Sequence, residues 1–327
     1  MRARAITCAL AAQAIALALG APAFAGPTVS HHRGNDPARG GAILDYWTSE
    51  RLRGAEPRPL RPATAGRRDS GPTAAASGGS PGSVSPAAPT IDPPAGGPSA
   101  GPPPTDAGAT AYEVPDSALP PNTVHGKVFA KDKSGPFQCS ATSVNSTNRG
   151  VVITAGHCVR LKPFGWAKKF IFIPSYREGG QPYGAWAWSS FHVAHRWERK
   201  QNSNYDFAAA VMSPRAGVAV QDAVGGAGFA WNQPRAQTYR SFGYPSNFFH
   251  GERMMGCLST SRSGPDFGPG PQMQGMICDM GKGSSGGGWL IDDQLLNSVQ
   301  SLGRRNFSAG PYFGKAARRV LNRAQKQ

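Results

Sequence analysis

Gly281-Lys282-Gly283-Ser284-Ser285-Gly286-Gly287-Gly288-Trp289-Leu290 is the stretch on which the fold assignment depends. It places two serines among glycines and then continues into an apolar run. Such a backbone can turn tightly, direct several N–H groups at one point and expose a hydroxyl. Gly/Ser runs are also ordinary turn sequences. The rest of the chain therefore has to distinguish a flexible loop from a loop that carries a nucleophile.

A nucleophilic serine needs a base, and the base needs a group that orients it. His157 is the candidate base, because Thr154-Ala155-Gly156-His157-Cys158 follows an apolar run and a cystine at Cys158 would fix the backbone that aims the imidazole. Asp206 is the candidate orienter, since the apolar run 207–212 follows it directly. Asp222 is the alternative, but it leads into turn glycines.

The order of these candidates along the chain excludes two classes of hydrolase. His157 precedes Asp206, and Ser285 comes last. An α/β-hydrolase needs the order Ser, acid, His, and no histidine follows Ser285. A subtilisin needs the Asp first, and no matching motif precedes His157. The order His, Asp, Ser is that of chymotrypsin.

From about residue 121 the chain consists of short apolar or alternating runs separated by turn residues, which predicts an all-β fold, either a barrel or a sandwich. The predicted strands lie at 126–130, 150–154, 169–173, 207–212 and 295–299. A short C-terminal helix is predicted over 315–323, and its apolar face consists of Ala317, Val320, Leu321 and Ala324.

Over residues 124–314 the chain resembles the trypsin/chymotrypsin-fold serine peptidases, and most closely their secreted bacterial branch of trypsin-like and glutamyl-endopeptidase-like enzymes. The motifs that carry the resemblance are Cys139-Ser140-Ala141, Thr154-Ala155-Gly156-His157-Cys158, Tyr205-Asp206-Phe207-Ala208, Gly243-Tyr244-Pro245 and Gly283-Ser284-Ser285-Gly286-Gly287. The resemblance implies two packed antiparallel β-barrels with the active site between them. It implies a peptide or protein substrate, and neither a cofactor nor a metal.

The resemblance also implies a role for each site residue. Ser285 is the nucleophile, His157 the general base and Asp206 the orienter. The N–H groups of Gly283 and Ser285 form the oxyanion hole. Ser284 is a rival nucleophile, which we place second because Gly286-Gly287 follows Ser285 as in the family pattern.

The chain departs from the trypsin pattern in two respects. Ser284 stands where trypsin-type zymogens carry an acid that pairs with the new N-terminus, so that switch cannot operate in the same way. Asp279 lies six residues before Ser285, at the position of the basic-residue-binding Asp, although the cysteine pattern around it differs. Asp279 and Ser301 are the predicted substrate-binding residues. The strand 296–301 contains no histidine, which weakens a glutamate preference.

The chain divides into three predicted regions. Residues 1–25 have the charged start, apolar run and small residues of a cleavable signal peptide, so we expect secretion. Residues 26–120 are rich in Pro, Gly, Ala and Ser and are predicted to be a disordered propeptide or linker. Within it, 43–52 is an apolar island that can form a short helix. Residues 121–327 form the peptidase domain.

The cysteines outside the signal peptide suggest two disulfides, as expected for an exported protein. These cysteines are Cys139, Cys158, Cys257 and Cys278. Three pairings are possible, and the local one places a bridge in each half of the domain. The sequence contains no Cys-x-x-Cys motif, so a zinc site is not expected. His192 and His195 are interpreted as loop or surface residues.

The net charge of +16 is scattered, without a basic stripe interleaved with aromatics, so we do not expect specific nucleic-acid binding. No segment of the mature chain is long and apolar enough for a membrane span, and a monomer is expected. The rival function is a catalytically silent secreted binding protein on the same fold. Loose association with the cell wall through the Pro-rich region concerns location and is compatible with catalysis.

Overall fold

The computed structural model describes residues 28–34, 40–58, 60, 79–92 and 110–327. The predicted signal peptide lies outside these residues. Within them, no helix has both the length and the apolar composition that crossing a membrane requires.

The described residues form mainly strands, joined by short loops and a few short helices. The strands are β1 (Val29–Arg33), β2 (Glu56–Pro57), β3 (Gly82–Val84), β4 (Tyr112–Glu113), β5 (His125–Asp132), β6 (Gly135–Ser143), β7 (Val151–Thr154), β8 (Arg160–Leu161), β9 (Gly165–Trp166), β10 (Lys168–Pro174), β11 (Trp186–Ala194), β12 (Ala208–Met212), β13 (Gly228–Trp231), β14 (Thr238–Gly243), β15 (Met255–Ser263), β16 (Gln274–Ile277), β17 (Gly288–Ile291), β18 (Leu295–Val299), β19 (Leu302–Arg304) and β20 (Phe307–Gly310). The α-helices are α1 (Gly40–Leu44), α2 (Ser49–Arg53), α3 (His195–Lys200), α4 (Val220–Val224) and α5 (Lys315–Ala324).

The first sheet is a closed barrel. Its strands follow the order β11, β10, β5, β6, β7, β12, and β12 pairs back onto β11. All of these pairings are antiparallel. The strands are buried along most of their length, as expected for a barrel whose interior is filled by side chains. The predicted strands at 126–130, 150–154, 169–173 and 207–212 all lie in this barrel.

The second sheet contains the strand that follows the serine loop. Its central order is β20, β16, β15, β14, β17, β18, again antiparallel. The N–H of Ser301, just after β18, donates to the carbonyl of Ala309 in β20 at 3.0 Å. The two ends of this set of strands therefore meet. Together the sheets form the predicted chymotrypsin-like all-β architecture.

Helix α5 closes the chain against the first barrel, as its sequence pattern predicts. The residues of its predicted apolar face, Ala317, Val320, Leu321 and Ala324, are all buried. The helix packs on β11 and β12, and β12 is the strand that follows Asp206.

Several described segments within 26–120 have regular structure, unlike the disorder predicted for this region. Strand β1 extends the edge of β11, β2 pairs with β6, β3 with β13 and β4 with β15. Ile43, Trp47 and Leu52 are buried in the main core, and Trp47 Nε1 donates to the carbonyl of Lys169 at 2.6 Å. The average Pro/Gly-rich composition of this region did not reveal the short segments within it that pair with strands of the two sheets.

Both disulfides follow the local pairing. Cys139 is bonded to Cys158, and Cys257 is bonded to Cys278. The interpretation of His192 as a loop or surface residue is wrong. It lies in β11, is fully buried and stacks on His31 with ring centroids 4.6 Å apart, whereas His195 begins α3 and is partly exposed.

Candidate active site

His157 lies in a short turn directly after β7. The turn, Gly156–Cys158, is a single 3₁₀ turn, and the disulfide to Cys139 ties it to β6. Gly156 is required at its position because a Cβ there would come within 2.7 Å of the Trp197 ring. The imidazole is fully buried. The local sequence thus holds the ring in one orientation against the first barrel.

Asp206 orients this imidazole through both of its carboxylate oxygens. Oδ1 accepts from the backbone N–H of His157 and Oδ2 from Nδ1, each at 2.7 Å. A third donor, the hydroxyl of Ser301, reaches Oδ2 at 2.5 Å. Asp206 is fully buried, and a buried carboxylate is stable only when such donors surround it. Because a carboxylate only accepts, Nδ1 carries the proton and Nε2 is free to accept one.

No hydrogen bond from the described residues reaches Nε2 of His157, which is buried. In particular, none joins it to the hydroxyl of Ser285. Catalytic hydrogen bonds are often long without substrate and tighten in the reacting complex.

The serine loop packs directly on the histidine turn. The N–H of Ser140 in β6 donates to the carbonyl of Ser285 at 2.7 Å. Gly286 has φ +84°, and a Cβ there would collide with the Thr154 hydroxyl and the Ser140 carbonyl. Only glycine permits this approach. Gly286, the residue after Ser285, therefore packs against Thr154, which lies three residues before His157.

The two backbone amides predicted to form the oxyanion hole are those of Gly283 and Ser285. Gly283 has φ +95°, where a side chain is strained, and a Cβ there would lie 2.5 Å from the carbonyl oxygen of Tyr244. Among the described residues, neither amide has a hydrogen-bond acceptor. Both N–H groups are therefore available to a ligand.

Ser285 lines a cleft of about 820 Å³ and is 7% exposed. The remaining lining residues lie within 263–267, 281–284 and 300–309, together with Arg58 and Leu60. Ser301 is among them, but Asp279 is not. The carboxylate of Asp279 instead accepts the N–H of Ala111 at 2.7 Å. Of the two predicted substrate-binding residues, the structure brings only Ser301 to the cleft.

The rival residues are engaged elsewhere. The Asp222 carboxylate pairs with Arg149 at 3.0 Å, away from His157. The Ser284 hydroxyl donates to the carbonyl of Gly281 at 2.6 Å, so it supports the loop.

Two solved structures resemble this chain in both sequence and fold. A thermostable serine protease from an extremophilic microorganism is 35% identical, with a TM-score of 0.59; the match covers 63% of this chain and 98% of that one. The protease Anisep from Arthrobacter nicotinovorans is 36% identical, with a TM-score of 0.60, and the match covers 63% and 96%. The chain belongs to the trypsin-like serine proteases. This is a family of hydrolases.

The other comparisons are more limited. A Glu endopeptidase structure is 19% identical with a TM-score of 0.54, over 68% of this chain and 99% of that one, and shows the fold alone. A protein named extracellular metalloprotease from Bacillus subtilis (strain 168) is 30% identical over 87 residues. This match spans 27% of that relative's length and 27% of this chain. No protein-family model matches the chain.

The described residues of this serine protease contain two clusters of potential metal-ligating side chains. One is Cys139, His157 and Cys158, and the other is Cys257, Cys278 and Asp279. All four cysteines are in disulfides, and thiolates are the form in which cysteine binds metals. His157 is therefore the one metal-ligating side chain left in the first cluster, and Asp279 the one left in the second.

The sequence gives no prediction for two residues of the protease cleft, Arg58 and Leu60. It predicts a substrate contact for Ser301 but not the hydrogen bond from its hydroxyl to Asp206, a residue far away in the chain. Arg58 and Leu60 come from the region predicted to be disordered. The only sequence signal for them is their position just after the apolar island at 43–52.

Proposed function

We propose that the protein is a secreted serine endopeptidase that cleaves peptide bonds through an acyl-enzyme on Ser285. The observation that carries the proposal is the environment of His157. Asp206 holds the imidazole by its backbone N–H and Nδ1, while Nε2 is left without a partner among the described residues. This is the arrangement that a general base needs.

In the proposed mechanism, His157 Nε2 takes the proton of the Ser285 hydroxyl as its oxygen attacks the peptide carbonyl. The resulting oxyanion accepts from the N–H groups of Gly283 and Ser285, and losing one such donor typically costs about 2.7–4 kcal/mol. The imidazolium, stabilised by Asp206, then protonates the leaving amine. Water, deprotonated by His157, attacks the acyl-enzyme, and the proton returns to Ser285 as the acid leaves.

We further propose that the chain is exported by residues 1–25 and acts extracellularly as a monomer, with 26–120 as a propeptide. Two disulfides in a chain of this kind are typical of oxidising compartments. Ser284 replaces the acid of trypsin-type zymogens and bonds to its own loop. Activation would therefore use the removal of covering segments and not a new N-terminal ion pair.

Asp279 remains a hypothesis for an Arg or Lys preference at the cleaved bond. Its carboxylate accepts from Ala111, which lies within the proposed propeptide. Removal of that region would release the carboxylate. A peptide-library cleavage profile of the processed enzyme, compared with Asp279→Asn, tests this hypothesis.

The proposed function is tested by comparing Ser285→Ala with Ser284→Ala. Both variants remove one buried hydroxyl from the same loop. We expect Ser285→Ala to lose at least about a thousandfold in kcat/KM, because the nucleophile is gone, and Ser284→Ala to lose much less. Peptide hydrolysis is measured on the expressed chain before and after limited proteolysis. Full activity in Ser285→Ala would contradict the proposal, and an inactive wild-type chain would favour the silent binding protein.

A further inference from the structure

The side chain of Arg58 fills a pocket on the β5–β6 hairpin. Arg58 is 3% exposed, and its Nη2 forms an ion pair with Oδ2 of Asp132, whose side chain is also buried. Its Nη1 donates to the hydroxyl of Ser134 at 2.8 Å. An arginine so completely withdrawn from water, with its ends matched by an acid and a hydroxyl, occupies a site shaped for guanidinium.

The pocket is formed by the proposed protease domain and not by the region that contributes the arginine. The Arg58 guanidinium lies 4.3 Å from the centre of the Phe137 ring and 5.2 Å from that of Phe164. Oδ1 of Asp132 accepts the N–H and the hydroxyl of Ser134 at 2.8 and 2.6 Å. The hairpin thus holds the carboxylate in place by itself, and Oδ2 is left to receive a cation.

The pocket opens beside the candidate active site. The N–H of Arg58 donates to the carbonyl of Gln138 at 3.0 Å, and β2 pairs in parallel with β6 at this point. Two residues further along β6, the N–H of Ser140 holds the carbonyl of Ser285. Arg58 and Leu60 line the same cleft as Ser285. The parallel pairing therefore carries this segment along β6 towards the proposed nucleophile.

This side of the cleft is the one that would receive the leaving group. Strand β6 carries Cys139, whose disulfide partner Cys158 adjoins His157. In the proposed mechanism His157 protonates the departing amine, so the part of the substrate after the cleaved bond lies on the His157 side.

We propose that Asp132, Ser134, Phe137 and Phe164 form a substrate subsite for an arginine located after the cleaved bond, and that Arg58 fills this subsite until its region is removed. The inference rests on the proposed function. A planar guanidinium can bond to Asp132 and Ser134 while its faces stack on the phenyl rings. A lysine ammonium cannot do both, and the Asp132 charge repels an acidic side chain. While Arg58 is bound, it and Leu60 compete with substrate for the cleft.

A binding experiment tests the pocket without any requirement for activity. The full chain with Ser285→Ala and Arg58→Ala is titrated with N-acetylarginine methylamide, and the melting temperature is followed. N-acetylcitrulline and N-acetyllysine methylamides are the controls. We expect a dose-dependent rise with the arginine compound alone, and its loss when Asp132→Asn is added. Equal shifts with all three compounds would overturn the pocket. Arg58→Gln replaces Arg58→Ala if the latter fails to fold.

A cleavage experiment then tests the role in substrate binding. The catalytically intact Arg58→Ala chain, processed by limited proteolysis to remove the covering region, is given a peptide library that varies the positions after the cleaved bond. We expect arginine to exceed lysine by about tenfold in kcat/KM at one of these positions, because a guanidinium bonds to the Asp132 carboxylate and the Ser134 hydroxyl at the same time. In Arg58→Ala combined with Asp132→Asn, that ratio should fall close to one.

Two outcomes would overturn the substrate subsite. If the arginine compound binds but the library shows no arginine preference, the pocket only anchors the precursor region. If no peptide is cleaved while the arginine compound still binds, the proposed function fails and the substrate role fails with it. The binding result separates these cases from failure of the pocket itself.

Discussion

At the scale of single residues, the carboxylate of Asp206 organises the candidate site. It is fully buried and accepts from the His157 backbone, the His157 ring and the Ser301 hydroxyl. Each donor lowers the cost of keeping a charge away from water. Ser301 also lines the cleft, so its role as a support for Asp206 must be separated from contact with substrate.

Ser301→Ala separates the two roles. Hydrogen bonds to charged groups are worth about 1.5–3 kcal/mol, so loss of this donor should lower kcat by about tenfold to a hundredfold with little change in KM. Ser298→Ala is the matched control, because the Ser298 hydroxyl is buried but donates to the Pro311 carbonyl. Steady-state kinetics provide the measurement. A raised KM with an unchanged kcat in Ser301→Ala would show that Ser301 serves substrate binding alone.

The sequence singles out His157 and Asp206 as candidates because their motifs and their order along the chain are distinctive. It could not assign the role of Ser301. That role depends on the end of β18 meeting the turn before β12, a contact between residues 95 apart in the chain. No local pattern encodes such a contact. Asp279 is the opposite case. Its spacing from Ser285 predicts a substrate contact, but Asp279 does not line the cleft in the described structure, and its carboxylate accepts the N–H of Ala111.

At the scale of elements, the two disulfides have similar loops but different neighbours. They join residues 19 and 21 apart. By loop closure each should stabilise the fold by about 3 kcal/mol. The Cys139–Cys158 bridge adjoins both His157 and Ser140, which holds the Ser285 carbonyl, and therefore links His157 to the serine loop.

Replacing Cys139 and Cys158 together by alanine should therefore reduce kcat/KM more than replacing Cys257 and Cys278. The two double variants should lose similar stability, about 6–12 °C in melting temperature. Calorimetry and peptide hydrolysis, measured on the same preparations, test this expectation. Equal activity losses from the two double variants would show that the first bridge has no special role in positioning His157.

The predictable elements were those with local periodic patterns. The strands at 126–130 and 295–299 and the helix α5 were predicted from alternation and from a four-residue apolar face. Strands β1 to β4 were not, because each is short and is stabilised mainly by a distant partner strand. Their sequences resemble the linker around them.

At the scale of the whole molecule, His125 lies where the two sheets meet. It begins β5 of the first barrel, and its ring stacks on Phe242 of β14 in the second sheet with centroids 3.9 Å apart. Its Nδ1 is 3.0 Å from the hydroxyl of Thr142. Burial lowers the pKa of His125 from 6.5 to about 3. The contact between the sheets therefore requires a neutral imidazole.

This burial predicts a loss of stability in acid. Between pH 6.5 and about 3 the unfolded chain binds a proton at His125 that the folded chain does not, so stability is full above pH 6.5 and falls as the pH falls. From pH 7 to 5 this residue alone should reduce the free energy of unfolding by about 2 kcal/mol. His192, whose pKa is also lowered to about 3 by burial, adds to the effect.

Denaturant unfolding of the wild type and His125→Gln at several pH values measures this contribution. The variant should lose stability less steeply between pH 7 and 5, with the His192 contribution remaining. Parallel profiles for the two proteins would contradict the assignment to His125.

The overall architecture was predictable because the order His157, Asp206, Ser285 excludes the α/β-hydrolase and subtilisin orders and because the motifs resemble those of a two-barrel family. The pairing of β1 to β4 with the two sheets was not predictable from the sequence. It depends on partner strands that come together only when the sheets form. Arg58 is the clearest case. Nothing in its sequence neighbourhood indicates Asp132 or the two phenyl rings.

The proposed role of Ser285 as a nucleophile activated by His157 and Asp206 has one direct test. The processed chain is treated with a serine-directed phosphonylating reagent, and the adduct is located by peptide mass spectrometry. We expect one adduct, on the hydroxyl of Ser285, formed much more slowly in Asp206→Asn. An adduct on Ser284, or no adduct on a correctly folded and processed chain, would contradict this role.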